Sequence, residues 1–178
     1  KTNTTLFIGT AILTLGAIIV LNSCGSTIPK GAKPISNFDI NKYKGEWYEI
    51  ARLDHKFERN MEKTTANYTL KQNGRVQVIN KGFNTKKQAW KTSEGEAKFA
   101  GEKNIGQLKV AFFKPFWGAY NIIELDKEYK YALVVGKNTK YLWILSREKT
   151  IPDSIKKSYL SKVESLGYDT SAIIWVEQ

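Results

Sequence analysis

Lys44-Gly45-Glu46-Trp47-Tyr48-Glu49-Ile50-Ala51-Arg52 is the stretch from which the fold can be read. Its aromatic and β-branched residues predict a strand from Glu46 to Leu53. Segments of the same character follow at Thr64 to Lys71, Arg75 to Lys81, Ala89 to Phe99, Gln107 to Phe113, Ala119 to Leu125, Tyr129 to Val135 and Tyr141 to Arg147. Turn residues separate them at the spacing of an all-β sandwich or barrel. Asn73-Gly74 is a hairpin dipeptide between the second and third, and Gly136-Lys137-Asn138 turns the seventh into the eighth.

One helix interrupts the pattern. Pro152 suits a first helical turn, Ile155, Tyr159, Leu160, Val163 and Leu166 fall on one face, and Gly167 suits the C-terminal cap. Ala172 to Val176 reads as a short ninth strand returning to the sheet. An eight-stranded antiparallel barrel of this kind can enclose one small ligand or fill its interior with side chains, and composition does not choose between the two.

The 178 residues suit one domain. Leu6 to Leu21 is an uncharged apolar run behind Lys1, shorter than the ~20 apolar residues of a usual membrane span, and reads as a secretory signal. Residues 1–23 are therefore expected to be removed. Cys24 to Ser36 is small, polar and broken by Gly and Pro, as a flexible tether would be, and the folded domain is expected over 37–178.

Loss of Lys1 from 28 Lys and Arg leaves 27 against 17 Asp and Glu, a net charge of +10. The lysines are scattered and form no nucleic-acid motif, so no nucleic-acid partner is expected. Anionic phospholipid head groups and a merely solubilising surface are equal readings of this charge.

Nucleophilic and zinc chemistry lack their usual parts. His55 is the only histidine and Cys24 the only cysteine, and the chain has no G-x-S-x-G elbow, H-E-x-x-H helix or P-loop. Glu94 and Glu96 share a strand face, which reads as the outer surface of a barrel rather than an acid/base pair. A binder without metal or cofactor is expected rather than an enzyme. The rival readings are an exported lipid-modifying enzyme and an envelope lipoprotein with a filled barrel.

Gly45-Glu46-Trp47, with Asn37-Phe38-Asp39-Ile40-Asn41-Lys42-Tyr43 before it, resembles the G-x-W signature that opens a lipocalin barrel. Leu125-Asp126-Lys127-Glu128-Tyr129 resembles the family's second motif, and Arg147 resembles the arginine of the third. The resemblance spans Asn37 to Gln178 and is nearest to the bacterial outer-membrane lipoprotein lipocalins and to apolipoprotein D. It implies an up-and-down calyx, open at one end, for fatty acids, lysophospholipids or similar hydrophobic ligands. Gly45, Trp47 and Arg147 are then structural, with the indole and guanidinium pairing at the closed end for about 0.5 to 2 kcal/mol.

Leu21-Asn22-Ser23-Cys24 resembles the bacterial lipobox, which implies a diacylated Cys24 and anchoring in the membrane. Gly25 is not the aspartate of inner-membrane retention, which favours the outer membrane. The assembly state, a homodimer included, is left open.

Alternation groups Trp143, Leu145 and Arg147 on one inward face, and likewise Leu108, Val110 and Phe112, Ala66, Tyr68 and Leu70, and Val76, Val78 and Asn80. By resemblance to apolipoprotein D, Tyr68, Asn80, Phe112 and Trp143 line the pocket, and Leu145 follows by alternation. A polar Asn80 there is either a satisfied core residue or a partner for water or a ligand head group. Asp54 to Lys63 is expected to fold over the mouth, with Phe57 and Met61 as apolar contacts and the loop's basic residues facing a carboxylate or phosphate. Phe113-Lys114-Pro115-Phe116-Trp117-Gly118 is too aromatic for a plain connector and is read as touching lipid, ligand or a partner.

Overall fold

In the computed structural model, which describes residues 27–178, the strands form a single sheet that closes on itself. The elements are α1 (Ile40–Tyr43), β1 (Gly45–Leu53), β2 (Met61–Leu70), β3 (Val76–Asn84), β4 (Ala89–Phe99), β5 (Gln107–Phe113), β6 (Phe116–Leu125), β7 (Tyr131–Val135), β8 (Leu142–Ser146), α2 (Asp153–Ser165) and β9 (Ile173–Trp175). Each strand from β1 to β8 pairs antiparallel with the next, and β8 pairs back onto β1. The result is the expected eight-stranded up-and-down calyx. The expected signal, Cys24 and the start of the expected tether lie outside the described residues.

The ninth strand does not enter the ring. β2 pairs β1 only along Gly45 to Tyr48, and β9 takes the edge of β1 at Ala51 to Leu53 from outside. The C-terminus bridges this divergence, because Lys63 N donates to Glu177 O at 2.6 Å and Gln178 Nε2 donates to both Glu49 O and Thr64 O.

Two apolar layers hold the barrel. Outside, Tyr159 and Val163 of α2 pack with Ile155, Leu160 and Leu166 onto Ile123, Leu133, Val135, Leu142 and Ile144, the face that helical periodicity picks out. Pro152 sits one place earlier than expected, as the N-cap in extended conformation, and Gly167 at φ +82° ends the helix. Inside, Phe38, Tyr43, Trp47, Val76, Leu108, Ile122 and Val134 fill one end.

Trp47 is fully buried and donates from Nε1 to Tyr43 O at 2.8 Å. The Arg147 guanidinium lies over its ring, and its nitrogens donate to the carbonyls of Lys42, Tyr43, Lys44, Glu46 and Tyr129. Gly45 adopts φ +97°, where a Cβ would sit 3.4 Å from Arg147 Nη1, so both the backbone angle and the close approach select glycine.

Strand ends differ where local hydrogen bonds outweigh apolar pattern. The seventh strand begins at Tyr131 rather than Tyr129, because the Asp126 carboxylate accepts the amides of Glu128, Lys130 and Tyr131 and wraps the chain into a turn with Tyr129 at φ +57°. Arg147 lies just past β8. β2 and β3 run longer than expected, to the Met61–Asn84 pair, across an irregularity between Glu62 and Thr65.

Candidate functional site

The opposite end of the barrel is hollow. A cavity of about 470 Å³ opens between the β1–β2, β3–β4, β5–β6 and β7–β8 turns, within the range of small-molecule pockets. Tyr68 (β2), Asn80 (β3), Phe112 (β5), Trp143 and Leu145 (β8) all line it, as do Val78 and Val110. Leu108, Val76 and Leu70, grouped with them by alternation, face inward at greater depth and belong to the closed-end core.

The polar groups of the wall divide into two sets. At the floor, Tyr120 is the hub of a hydroxyl chain, with its oxygen 2.6 Å from that of Tyr43 and 2.8 Å from that of Tyr68. Burial pushes all three phenols well above their ordinary range, so they stay neutral donors and acceptors. Asn80 Oδ1 is buried and has no hydrogen-bond partner among the described residues.

The second set is charged and was not anticipated. Period two from Trp47 puts Glu49 on the inward face, and a bulge between Glu49 and Ala51 shifts the register so that Arg52 also faces inward. Arg52 Nη1 donates to Glu49 Oε1 at 2.7 Å, while Nη2 donates to the carbonyls of Glu58 and Met61 and ties the mouth loop to the wall. Glu58 Oε2 lies 2.8 Å from His55 Nε2 and accepts a bond from Trp143 Nε1 at 3.0 Å. His55 stands among the rings of Phe57, Tyr141 and Trp143.

Two carboxylates lie near one guanidinium, which bonds the Glu49 carboxylate and the Glu58 backbone carbonyl. Burial, reinforced by the Glu58 charge and opposed by Arg52, pushes Glu49 up to about 8. Burial also acts upward on Glu58, but the bonds from His55 and Trp143 and the charges of His55 and Arg52 outweigh it and hold Glu58 below the usual range.

The mouth loop meets its expectation in part. Phe57 and Met61 both line the cavity, Phe57 half-exposed and Met61 buried. Of its basic residues, Arg59 pairs with Asp54 at 2.7 Å and Lys56 lies over the Phe57 ring. The lysines that line the cavity are instead Lys81, Lys91 and Lys137. Phe113 and Phe116 line the rim with 71% and 78% of their surfaces exposed. On the outer wall Glu96 pairs with Arg75 and Lys114, and Glu94 accepts from Gln77. Among the described residues no group of three His, Cys, Asp or Glu side chains could hold a metal ion.

Residues 38–178 match the family model described as a lipocalin-like domain. The chain belongs to the lipocalin family. This lipocalin is 49% identical over 162 residues to the outer membrane lipoprotein Blc of Escherichia coli K12, across 91% of this chain and 92% of that protein. It is 43% identical over 169 residues to the protein of the same name from Vibrio cholerae serotype O1, across 94% and 98% of the two chains. Rat apolipoprotein D is 37% identical over 131 residues, covering 65% of this lipocalin and 64% of its own chain. Insecticyanin from Manduca sexta superimposes with a TM-score of 0.70 at 19% identity, over 85% of this chain and 87% of its own, a likeness of fold.

Proposed function

We propose that this lipocalin is an outer-membrane lipoprotein that holds the acyl chain of a fatty acid or lysophospholipid in its calyx and stores or carries it within the cell envelope. The observation that carries this reading is a barrel packed solid at one end and hollow at the other, its hollow lined by Tyr68, Val78, Val110, Phe112, Trp143 and Leu145. Apolar walls with a few convergent polar groups suit a chain bearing a polar head. The barrel is therefore not the filled one of a purely structural lipoprotein. Leu145 and Phe112 meet the chain, Trp143 flanks it nearer the mouth, and Tyr68 and Asn80 offer a hydroxyl and a buried acceptor to a ligand hydroxyl, amine or water.

The protein acts by binding rather than turnover. Its single histidine is held against Glu58 and aromatic rings, and among the described residues no serine, threonine or cysteine is paired to it. Residues 1–23 are the export signal, 24–36 the lipidated tether and 37–178 the binding domain. Sharing most of its length with two outer membrane lipoproteins supports the same placement. Diacylation of Cys24 gives two-chain anchoring, which is stable where one chain is marginal.

Native mass spectrometry of the protein purified from membranes should show a bound species of lipid mass that dissociates intact. Recovery of only lipid-free protein, or steady conversion of acylated substrates, overturns the reading. Cys24→Ser should move the protein out of the membrane fraction, and unchanged fractionation contradicts the anchor.

A further inference from the structure

The rim of the cavity differs from the rest of the surface in two respects. The first is its apolar tip. Phe113 and Phe116 flank the β5–β6 turn at 71% and 78% exposure, Phe57 projects from the mouth loop at 57%, and all three border the opening. Large aromatic side chains left this open on one rim mark a contact surface.

The second is charge. The four open-end turns, 54–60, 85–88, 114–115 and 136–141, carry seven Lys and Arg against two acidic residues, and both acids are paired, Asp54 with Arg59 and Glu58 with His55. The three closed-end turns, 71–75, 100–106 and 126–130, carry five against three. Excess positive charge therefore flanks the exposed phenylalanines.

Asn121 Nδ2 donates to Thr27 O at 2.9 Å and also to Val135 O and Gly136 O, and Gly136 opens the β7–β8 turn at the mouth. Gln107 Nε2, at the start of β5 just past a closed-end turn, donates to Thr27 Oγ1 at 3.4 Å, so the first described residue is held about midway along the barrel wall.

The wall beside the exposed aromatics is also notched. β4 pairs β5 only through Glu96 to Phe99, so Ala89 to Glu94 has no strand partner on the β5 side. Lys91 and Ser93, on this stretch, line the cavity together with Phe112, Phe113 and Phe116.

We infer that the open end docks on an anionic phospholipid bilayer, with Phe113, Phe116 and Phe57 in the boundary between head groups and acyl chains and the mouth lysines among the phosphates. Aromatic residues with adjacent basic groups suit that boundary, and each Lys or Arg near an anionic surface adds about 1 kcal/mol of attraction. The acyl chain then passes between bilayer and calyx through the β4–β5 notch without crossing water. The inference rests on the acyl-chain reading and on Cys24 as the anchor, which keeps the domain at the bilayer.

The full-length protein, purified from membranes, is reconstituted in vesicles of phosphatidylethanolamine and phosphatidylglycerol. An environment-sensitive thiol fluorophore is placed at Phe116→Cys or, as control, at Lys103→Cys in a closed-end turn; both sites are exposed, so the barrel core is untouched. The Phe116→Cys label should shift to the blue and be quenched by lipids brominated high on the acyl chain, the Lys103→Cys label should remain aqueous, and phosphatidylcholine vesicles should weaken the first signal. A Phe116→Cys label that stays aqueous while the protein floats with the vesicles overturns docking and leaves the anchor standing. Labelling of the protein without an introduced cysteine shows a free Cys24 and overturns the anchor alone. The probe is then added in a Cys24→Ser background, where the same blue shift sustains docking and its absence refutes it. A shift that appears without vesicles and grows with protein concentration assigns the rim to a second copy of the chain and refutes docking on lipid.

Discussion

The Arg147 guanidinium carbon lies 3.9 Å from the centroid of the Trp47 ring, joining the last strand of the barrel to the first across its closed end. The contact combines a cation–π interaction with bonds to five carbonyls, so the pair closes the cylinder sterically and electrostatically.

Trp47→Ala should therefore cost about 3 to 5 kcal/mol of stability, as expected for a fully buried indole. Gly45→Ala should cost at least about 1 kcal/mol, because alanine is strained at φ +97°. Urea denaturation checks both. A Trp47→Ala protein as stable as the parent would show that the closed end does not depend on the indole.

Glu49→Gln should alter the pH dependence of stability. The folded-state pKa of Glu49 is raised to about 8, so its stabilising contribution is full below the ordinary carboxylate range and is lost as the pH climbs through 8. Glu58 has the opposite sign. Its lowered pKa gives stability above the ordinary range that is lost as the pH falls below it. Melting temperatures measured from pH 5 to 9 should decline more in the parent than in Glu49→Gln. Equal slopes would show that Arg52 keeps Glu49 ionised throughout.

Trp143→Ala should weaken fatty-acid binding about tenfold, or about 1.4 kcal/mol, while the protein still folds. Trp143→Phe, which keeps an aromatic wall but not the bond to Glu58, should lose less. Displacement of a fluorescent fatty acid gives both affinities. Full affinity in a folded Trp143→Ala protein would place the ligand away from β8.

The barrel was legible because its signals are local. Alternation, hairpin dipeptides and the Gly45-Glu46-Trp47 signature each lie within one strand or turn, and β4 and β5 were read to the residue. The inward register of Tyr68, Asn80, Phe112, Trp143 and Leu145 followed from period two and from family resemblance. The Tyr43–Tyr120–Tyr68 chain was not legible, because it joins residues 52 and 77 positions apart whose meeting depends on barrel closure. Glu49 was within reach of alternation from Trp47. Arg52 was not, because the bulge after Glu49 reverses the parity of the strand and leaves no mark on the local pattern.

Whether the calyx holds the ligand is tested most directly at Gly118. It faces inward opposite Val110 on β6, its φ is ordinary, and an added Cβ would meet only Val110 O, at 3.7 Å. Gly118→Leu therefore seats its Cβ without displacing the wall and extends an isobutyl group toward the cavity. A long-chain fatty acid titrated into the parent and the variant by intrinsic fluorescence should bind the parent and lose at least tenfold in affinity in the variant, with melting unchanged. A parent that binds no fatty acid, or a variant that binds as tightly as the parent, would contradict the account.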